Sequence, residues 1–220
     1  MTRRPDTPDP AAGPATPNPG TEHYFSEDPS VPEVRRPVTV ALRGREVVLQ
    51  TSNGVFSPRG LDKGTSVLLR NVPDPAGGEL LDVGCGWGPI ALSLAEAAPG
   101  ARVTAVDVNE RSLALTRDNA AALGLGNVEV LLPEQVPAER RFDTIWSNPP
   151  IRIGKPQLHE LLLRWLPRLG PGGSAWLVVQ KNLGADSLQK WLATELGEAF
   201  RVSRHATDKG FRVLRVQRRA

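Results

Sequence analysis

Two stretches of this 220-residue chain carry residue types that could do chemistry together. Asn148-Pro149-Pro150 closes the apolar, strand-like run Phe142-Asp143-Thr144-Ile145-Trp146-Ser147. Proline lacks an N–H and fixes φ, so the turn is stiff and its carbonyls point outward. Asn148 adds a side-chain carbonyl that accepts hydrogen bonds. An exocyclic amino group has two donors; the Asn148 side chain and the Pro149 carbonyl would take one each. Upstream, Leu80-Leu81-Asp82-Val83-Gly84-Cys85-Gly86-Trp87-Gly88 reads as a strand running into a glycine turn and then a helix. Such a turn bends sharply, lets a ligand approach the backbone and offers free N–H groups at the helix start. The pair reads as a clamp for an amino group beside a cradle for a nucleoside cofactor.

Two details sharpen the cradle. Its spacing is Gly-x-Gly-x-Gly, not the Gly-x-Gly-x-x-Gly that holds a pyrophosphate. Asp107 ends the next strand-like run, where an acidic side chain can accept hydrogen bonds from both ribose hydroxyls. Its bland alternative is a helix cap or turn residue. Asp82 reads equally as a ligand contact or as the residue that holds the glycine turn. Cys85 has no evident pairing histidine, since His23, His159 and His205 lie far apart along the chain. It is read as a small residue packed beside the cofactor.

The elements that must position these residues follow a regular alternation. Strand-like runs occur at 79–83, 102–107, 127–132, 142–147 and 174–180, and helix-like runs at 88–97, 110–123, 157–168 and 185–195. Strand–helix alternation predicts a parallel sheet covered on both faces. Gly100, Gly124, Gly126 and Gly170-Pro171-Gly172-Gly173 fall where helices should stop. The end differs: runs 199–206 and 211–218 flank Asp208-Lys209-Gly210, a tight-turn sequence, and predict a terminal hairpin. Near the start, Val38–Leu42 and Glu46–Gln50 flank Arg43-Gly44-Arg45 and predict another hairpin. A loop through Gly54-Val55-Phe56-Ser57-Pro58 and a short helix near Lys63–Asn71 follow. Residues 1–22 hold six prolines and little that is large and apolar, which predicts a disordered tail ahead of one domain spanning 23–220.

Composition narrows the class. One cysteine excludes an intramolecular disulfide or a thiolate zinc cluster. No apolar run approaches the ~20 residues of a membrane span, and no apolar stretch follows Arg3 and Arg4 to make a secretory signal. An intracellular, cytoplasmic protein is expected, and a monomer. The net charge of +3 is unevenly placed: residues 201–220 carry seven Lys or Arg against one Asp. That basic edge reads either as a phosphate-contacting surface or as a solvated strand pair.

Asp82, Gly84, Gly86, Gly88 and Asp107, with the terminal hairpin, resemble class I S-adenosylmethionine-dependent methyltransferases. The fold this implies is α/β, a Rossmann-like seven-stranded methyltransferase sheet with an antiparallel last strand, here preceded by an N-terminal β-hairpin at about 36–60. Asn148-Pro149-Pro150 resembles the (Asn/Asp/Ser)-Pro-Pro-aromatic signature of amino-methyltransferases, with Ile151 in place of the aromatic. The longer stretch Ser147-Asn148-Pro149-Pro150-Ile151-Arg152-Ile153-Gly154-Lys155 is similar to single-domain bacterial small-subunit ribosomal RNA guanine-N2 methyltransferases, of the methyltransferase small domain (MTS) type. His23-Tyr24-Phe25-Ser26, Gly54-Val55-Phe56-Ser57 and Lys209-Gly210-Phe211-Arg212-Val213 fit the same family.

The resemblance implies that Asn148, Pro149 and Pro150 form the catalytic turn and hold guanine N2. Two acceptors on the amino protons favour pyramidalisation and stabilise the charge that develops as a methyl group arrives. S-adenosyl-L-methionine is the implied cofactor, held by Phe56, Asp82, Gly84, Cys85, Gly86, Gly88, Asp107 and Val108, with Glu134 or Gln135 beside the adenine. Ile151 would give the acceptor base apolar contact only. Arg152 and Lys155 would reach phosphates, or stand as solvated charges, and Lys181 would face the same cleft or plain solvent. The implied partner is ribosomal RNA or the small ribosomal subunit. Alternatives are adenine N6 or a protein glutamine amide as acceptor, a nicotinamide-dependent oxidoreductase, and a non-catalytic RNA-binding factor.

Overall fold

The structure, a computed structural model, describes residues 32–220. The expected tail at 1–22 and the His23–Ser26 motif lie outside the described residues.

A two-stranded antiparallel sheet comes first, β1 (Arg35–Leu42) and β2 (Arg45–Ser52). Its two-residue turn places both Arg43 (φ 47°) and Gly44 (φ 92°) in the left-handed region, the primed geometry that matches the right-handed twist of paired strands. Alternation buries Val40, Leu42, Val47 and Leu49. The helix α1 (Lys63–Asn71) follows, capped by Asp62, whose side chain accepts from the N–H groups of Gly64 and Thr65.

The main sheet comprises β3 (Glu79–Val83), β4 (Arg102–Val106), β5 (Val128–Leu131), β6 (Phe142–Ser147), β7 (Leu169–Gln180), β8 (Phe200–Asp208) and β9 (Phe211–Arg218). They stand in the order β5-β4-β3-β6-β7-β9-β8. β3 to β7 are parallel neighbours, and β9 runs antiparallel to both β7 and β8. The helices α2 (Pro89–Ala97), α3 (Glu110–Ala122), α4 (Lys155–Trp165) and α5 (Ala185–Glu195) cover the two faces. One core joins the hairpin, α1, α2 and α3 to the sheet; the other joins α4 and α5. Parallel strands buried on both faces explain the continuous apolar runs of the sequence. No helix among the described residues is long and apolar enough to cross a membrane.

Two expectations are sharpened. The helix does stop ahead of Gly170-Pro171-Gly172-Gly173, but the strand expected at 174–180 already begins at Leu169, and β7 shifts register against β6 across these residues. A Cβ at Gly173 would lie 3.0 Å from the Gly170 carbonyl oxygen and 3.1 Å from those of Phe142 and Asp143, so glycine serves close strand approach here. The basic terminal strands divide: Arg201, Arg204, Lys209 and Arg219 are exposed, and the other three arginines are engaged within the fold. Arg212 is buried and pairs with Asp186 at 2.6 Å, Arg215 lies over the Trp176 ring and donates to Ser174, and Arg218 donates to the Leu169 carbonyl at 2.6 Å.

Candidate active site

In a parallel sheet, ligands bind outside the carboxyl ends of the strands, where the strand order reverses. Here β3 is flanked by β4 and β6, and the turns after these three strands meet. A narrow cleft opens there, lined on one side by Phe56, Ser57, Gly84, Cys85, Gly86 and Trp87 and on the other by Asp62, Thr65 and Asn148.

The glycine turn is built as the sequence requires. Gly84 (φ 77°) and Gly86 (φ 57°) adopt the left-handed region, and a Cβ on either would meet open space. Only glycine takes these angles without strain, and the empty space above them is where a ligand fits. Gly84 and Cys85 donate their N–H groups to the Val106 carbonyl at 2.9 Å. Asp107 closes the turn from the next strand: Oδ2 accepts from Gly86 N–H at 2.9 Å and Oδ1 from Asn109 N–H at 2.9 Å. Burial pushes the Asp107 carboxyl above its ordinary value, against the opposing pull of those backbone donors. The Val108 N–H also acts on this carboxylate, and the rest of its lone pairs are free to accept from a ligand. Burial also drives the Cys85 thiol well up, which keeps it protonated and unsuited to nucleophilic attack.

Asp82 is fully buried behind the turn. Its Oδ2 accepts from the Ala91 N–H at 2.9 Å and so ties β3 to the start of α2. Its Oδ1 is buried without a hydrogen-bond partner among the described residues, and desolvation raises its pKa well above the usual carboxylate range. Of the two expected roles, the structure shows the holding of the turn. Gly88 (φ 103°) does not line the cleft: a Cβ there would lie 3.2 Å from the Thr116 side chain, so this glycine lets α2 and α3 approach. Val108 is exposed beside Asp107. Gln135 is occupied, since its side-chain oxygen accepts from Leu132 N–H at 2.8 Å; that leaves Glu134 as the exposed acid after β5.

The wall carrying Phe56 was legible as a loop, but its fastenings were not. Trp87 Nε1 donates to the Phe56 carbonyl at 3.1 Å, and Asn109 Nδ2 to the Gly54 carbonyl at 3.1 Å. Ser57 is held at φ 50°, with its hydroxyl donating to the Gly60 carbonyl at 2.7 Å. A non-glycine residue in this region is strained, and such strain gathers at functional sites.

The amino clamp is where the sequence reading was least complete. Asn148 Nδ2 donates to Asp62 Oδ2 at 2.8 Å and to Thr65 Oγ1 at 3.1 Å. An ionised carboxylate accepts and never donates, so the Asn148 atom facing Asp62 is the amide nitrogen. The acceptor Oδ1 is thereby turned away from Asp62. It takes no hydrogen bond from the described residues and is not among their buried unpaired atoms. The Pro149 carbonyl, the second expected acceptor, is already used once: it accepts from Ile151 N–H at 2.8 Å across Pro150, a γ-type turn. One lone pair remains on it. Ile151 turns from the clamp and packs, half-buried, on the core of α4 and α5. Arg152, Lys155 and Lys181 are exposed. Lys181 is held at the edge by its backbone, which donates to the Gly210 carbonyl at 2.9 Å.

The sheet order, the glycine turn with Asp107 and the Asn-Pro-Pro turn together define an S-adenosylmethionine-dependent methyltransferase. The chain belongs to the methyltransferase small domain family, whose profile matches residues 46–215. It is 34% identical over 202 residues to the uncharacterized protein YbxB of Bacillus subtilis, covering 90% of this chain and 99% of that one. It is 41% identical over 110 residues to the ribosomal RNA small subunit methyltransferase C of Sodalis glossinidius, covering 50% of this chain but 31% of that protein. Among solved structures, the Thermus thermophilus 16S rRNA N2 G1207 methyltransferase, in complex with AdoMet and guanosine, superposes with a TM-score of 0.72 at 26% identity. That likeness covers 87% of this chain and 52% of the Thermus chain. The chain thus spans about a third of the Sodalis relative and half of the Thermus one.

Proposed function

We propose that this methyltransferase places a methyl group on N2 of guanine in small-subunit ribosomal RNA. The observation that carries the amino-acceptor reading is Asn148 Oδ1, a bare acceptor whose orientation Asp62 dictates. Such an atom pairs with N–H and repels a carbonyl, so an exocyclic amino group suits it. Support for guanine and for ribosomal RNA comes from the names of the Sodalis and Thermus relatives and from the sequence around Ile151–Lys155.

S-adenosylmethionine, when bound, supplies an electrophilic methyl group. The residues present fit it. Gly84, Cys85 and Gly86 would hold it along the backbone, with Phe56 and Ser57 at its methionine end. Asp107 would accept from the ribose hydroxyls through its spare lone pairs, with Val108 and Glu134 beside the adenine. The open space above Gly84 and Gly86 is the room such a ligand needs, and Asp82, buried behind them, holds the turn that frames it.

On the acceptor side, Asn148 Oδ1 and the second lone pair of the Pro149 carbonyl would each take one N–H of the guanine amino group. The stiff Pro149-Pro150 turn fixes both acceptors before the base arrives, so no reorganisation is needed as positive charge builds on nitrogen. No general base is required before transfer; the surplus proton passes to solvent afterwards. Arg152, Lys155 and Lys181, exposed and without an ion pair among the described residues, would contact phosphates around the mouth.

The test is a labelled-methyl assay. Purified protein and S-adenosylmethionine are offered small ribosomal subunits, naked ribosomal RNA, DNA and total protein, with Asn148→Ala in parallel. N2-methylguanine is expected in the ribosomal fraction and is lost in the variant. Label in adenine or in protein would overturn the acceptor assignment.

A further inference from the structure

An amino group held at Asn148 belongs, under the reading above, to a planar base, and bases bound outside a helix are stacked on rings. Ile151 has no ring and has turned into the core. Phe56, the exposed ring of the cleft, stands with Ser57 and the glycine turn on the cofactor wall. The clamp therefore needs a flat surface from another element.

Phe211 meets the need. Its Cε1 and Asn148 Oδ1 each lie 3.2 Å from the point where Gly64 would carry a Cβ, so ring and acceptor are separated by no more than twice that distance. Gly64 sits in the first turn of α1 without a positive φ; its missing side chain serves space, not backbone conformation. The topology gives the same placement independently. Phe211 opens β9 opposite Gln180, the last residue of β7, and the β8–β9 turn is tied to that end by Lys181 N–H to the Gly210 carbonyl. β6 ends and β9 begins at this one edge. The ring is half-buried, packed on the α1 side of the core with part of its surface free.

We propose that Phe211 is the platform on which the acceptor base lies, a specificity-determining residue supplied by the last hairpin in place of the aromatic missing at Ile151. The proposal rests on the amino-acceptor reading of Asn148. Gly64 is its complement: a Cβ there would lie 2.9 Å from Asp62 Oδ2 and 3.2 Å from both Asn148 Oδ1 and the Phe211 ring, so any side chain crowds cap, clamp and platform together.

The test titrates guanosine into protein saturated with S-adenosylhomocysteine and follows the guanine H8 resonance by NMR, for the wild type, Phe211→Leu, Phe211→Tyr and Phe56→Leu. The wild type and Phe211→Tyr should bind guanosine and shift H8 upfield through the ring current. Phe211→Leu should bind about ten-fold more weakly, the scale of one lost base–ring stack, and lose the shift. Its unchanged affinity for S-adenosylhomocysteine will report an intact fold, whereas Phe56→Leu should weaken that affinity. Wild-type guanosine affinity and an unchanged H8 shift in Phe211→Leu would overturn the platform. A wild type that takes a glutamine peptide and no nucleoside overturns the guanine reading and the platform together. One that takes adenosine in place of guanosine overturns only the guanine reading, and Phe211→Leu on adenosine then decides the platform.

Discussion

The two walls of the cleft are built on different principles. The cofactor wall is mostly backbone: Gly84 and Gly86 at left-handed φ, N–H groups bonded across to Val106, and one acid, Asp107, gripping the turn. The acceptor wall is mostly side chains: Asn148 oriented by Asp62 and Thr65, with Phe211 beside them. A backbone cradle suits a ligand that is always the same, because it cannot be retuned without breaking the turn. A side-chain clamp, under the proposed function, would set which acceptor is taken and can be rebuilt residue by residue. Substitutions on the acceptor wall should therefore separate turnover from cofactor affinity, and substitutions on the cofactor wall should not.

The largest expected effect is that of Asn148→Ala. Removing one preorganised group aimed at developing charge costs about 100- to 1,000-fold in turnover. S-adenosylhomocysteine affinity, measured by calorimetry, should stay within a few-fold of wild type. A parallel collapse of both would place Asn148 in the cofactor wall and erase the contrast.

Asp62→Ser comes next. Serine still caps α1, but its hydroxyl is too short to reach the Asn148 amide, which is then free to turn over. Turnover should fall about ten-fold, the scale of one lost charge-assisted hydrogen bond, with cofactor affinity kept. Asp62→Asn retains an acceptor oxygen at the same reach and should recover most of the activity. If Ser and Asn behave alike, Asp62 only caps the helix. Circular dichroism of both variants separates that case from unfolding.

The cofactor wall has its own signature in pH. The Asp107 pKa is raised by burial, so the carboxylate begins to protonate at a higher pH than an exposed aspartate. Ribose hydroxyls bond best to the ionised form. S-adenosylhomocysteine affinity should hold at neutral pH and fall as pH is lowered through that raised pKa, by at most about ten-fold per unit for one proton. Asp107→Asn should bind more weakly at neutral pH and show a flat profile. Turnover of the bound complex should follow pH less steeply than affinity does, and the reverse would put the titrating group on the acceptor side.

How far the sequence was legible tracks the same division. The glycines, Asp82 and the strand ending at Asp107 sit on adjacent elements and announce themselves by type and spacing. β3 and β6, α1 and α5 have the predicted bounds, because apolar runs and caps are local signals. The clamp is half legible: Asn148 carries its own signal, but Asp62 and Thr65 lie 86 and 83 positions away, and only the packing of α1 over β7 and β9 brings them beside the turn after β6. Asp62 did carry a local signal, an acid just ahead of a helix, but that signal says cap and not orientation. The terminal arginines, which the sequence shows as one basic edge, divide for a related reason. A charge count cannot distinguish Arg212, buried against Asp186, from an arginine in solvent.

The smallest expected effect falls on Ile151, where the sequence pattern pointed hardest at a missing function. If Ile151 stood in the acceptor site, Ile151→Phe would restore the usual aromatic and tighten binding of the base. The structure places this side chain against the α4 and α5 core instead, held there by the γ-type turn that its own N–H makes with the Pro149 carbonyl. A larger ring in that position overpacks and should cost about 1–3 kcal/mol of stability, read as a lowered Tm. KM for the ribosomal substrate should not change. A fall in KM with unchanged Tm would return the stacking role to position 151 and take it from Phe211, because one amino group at Asn148 can present its base to only one of these two elements.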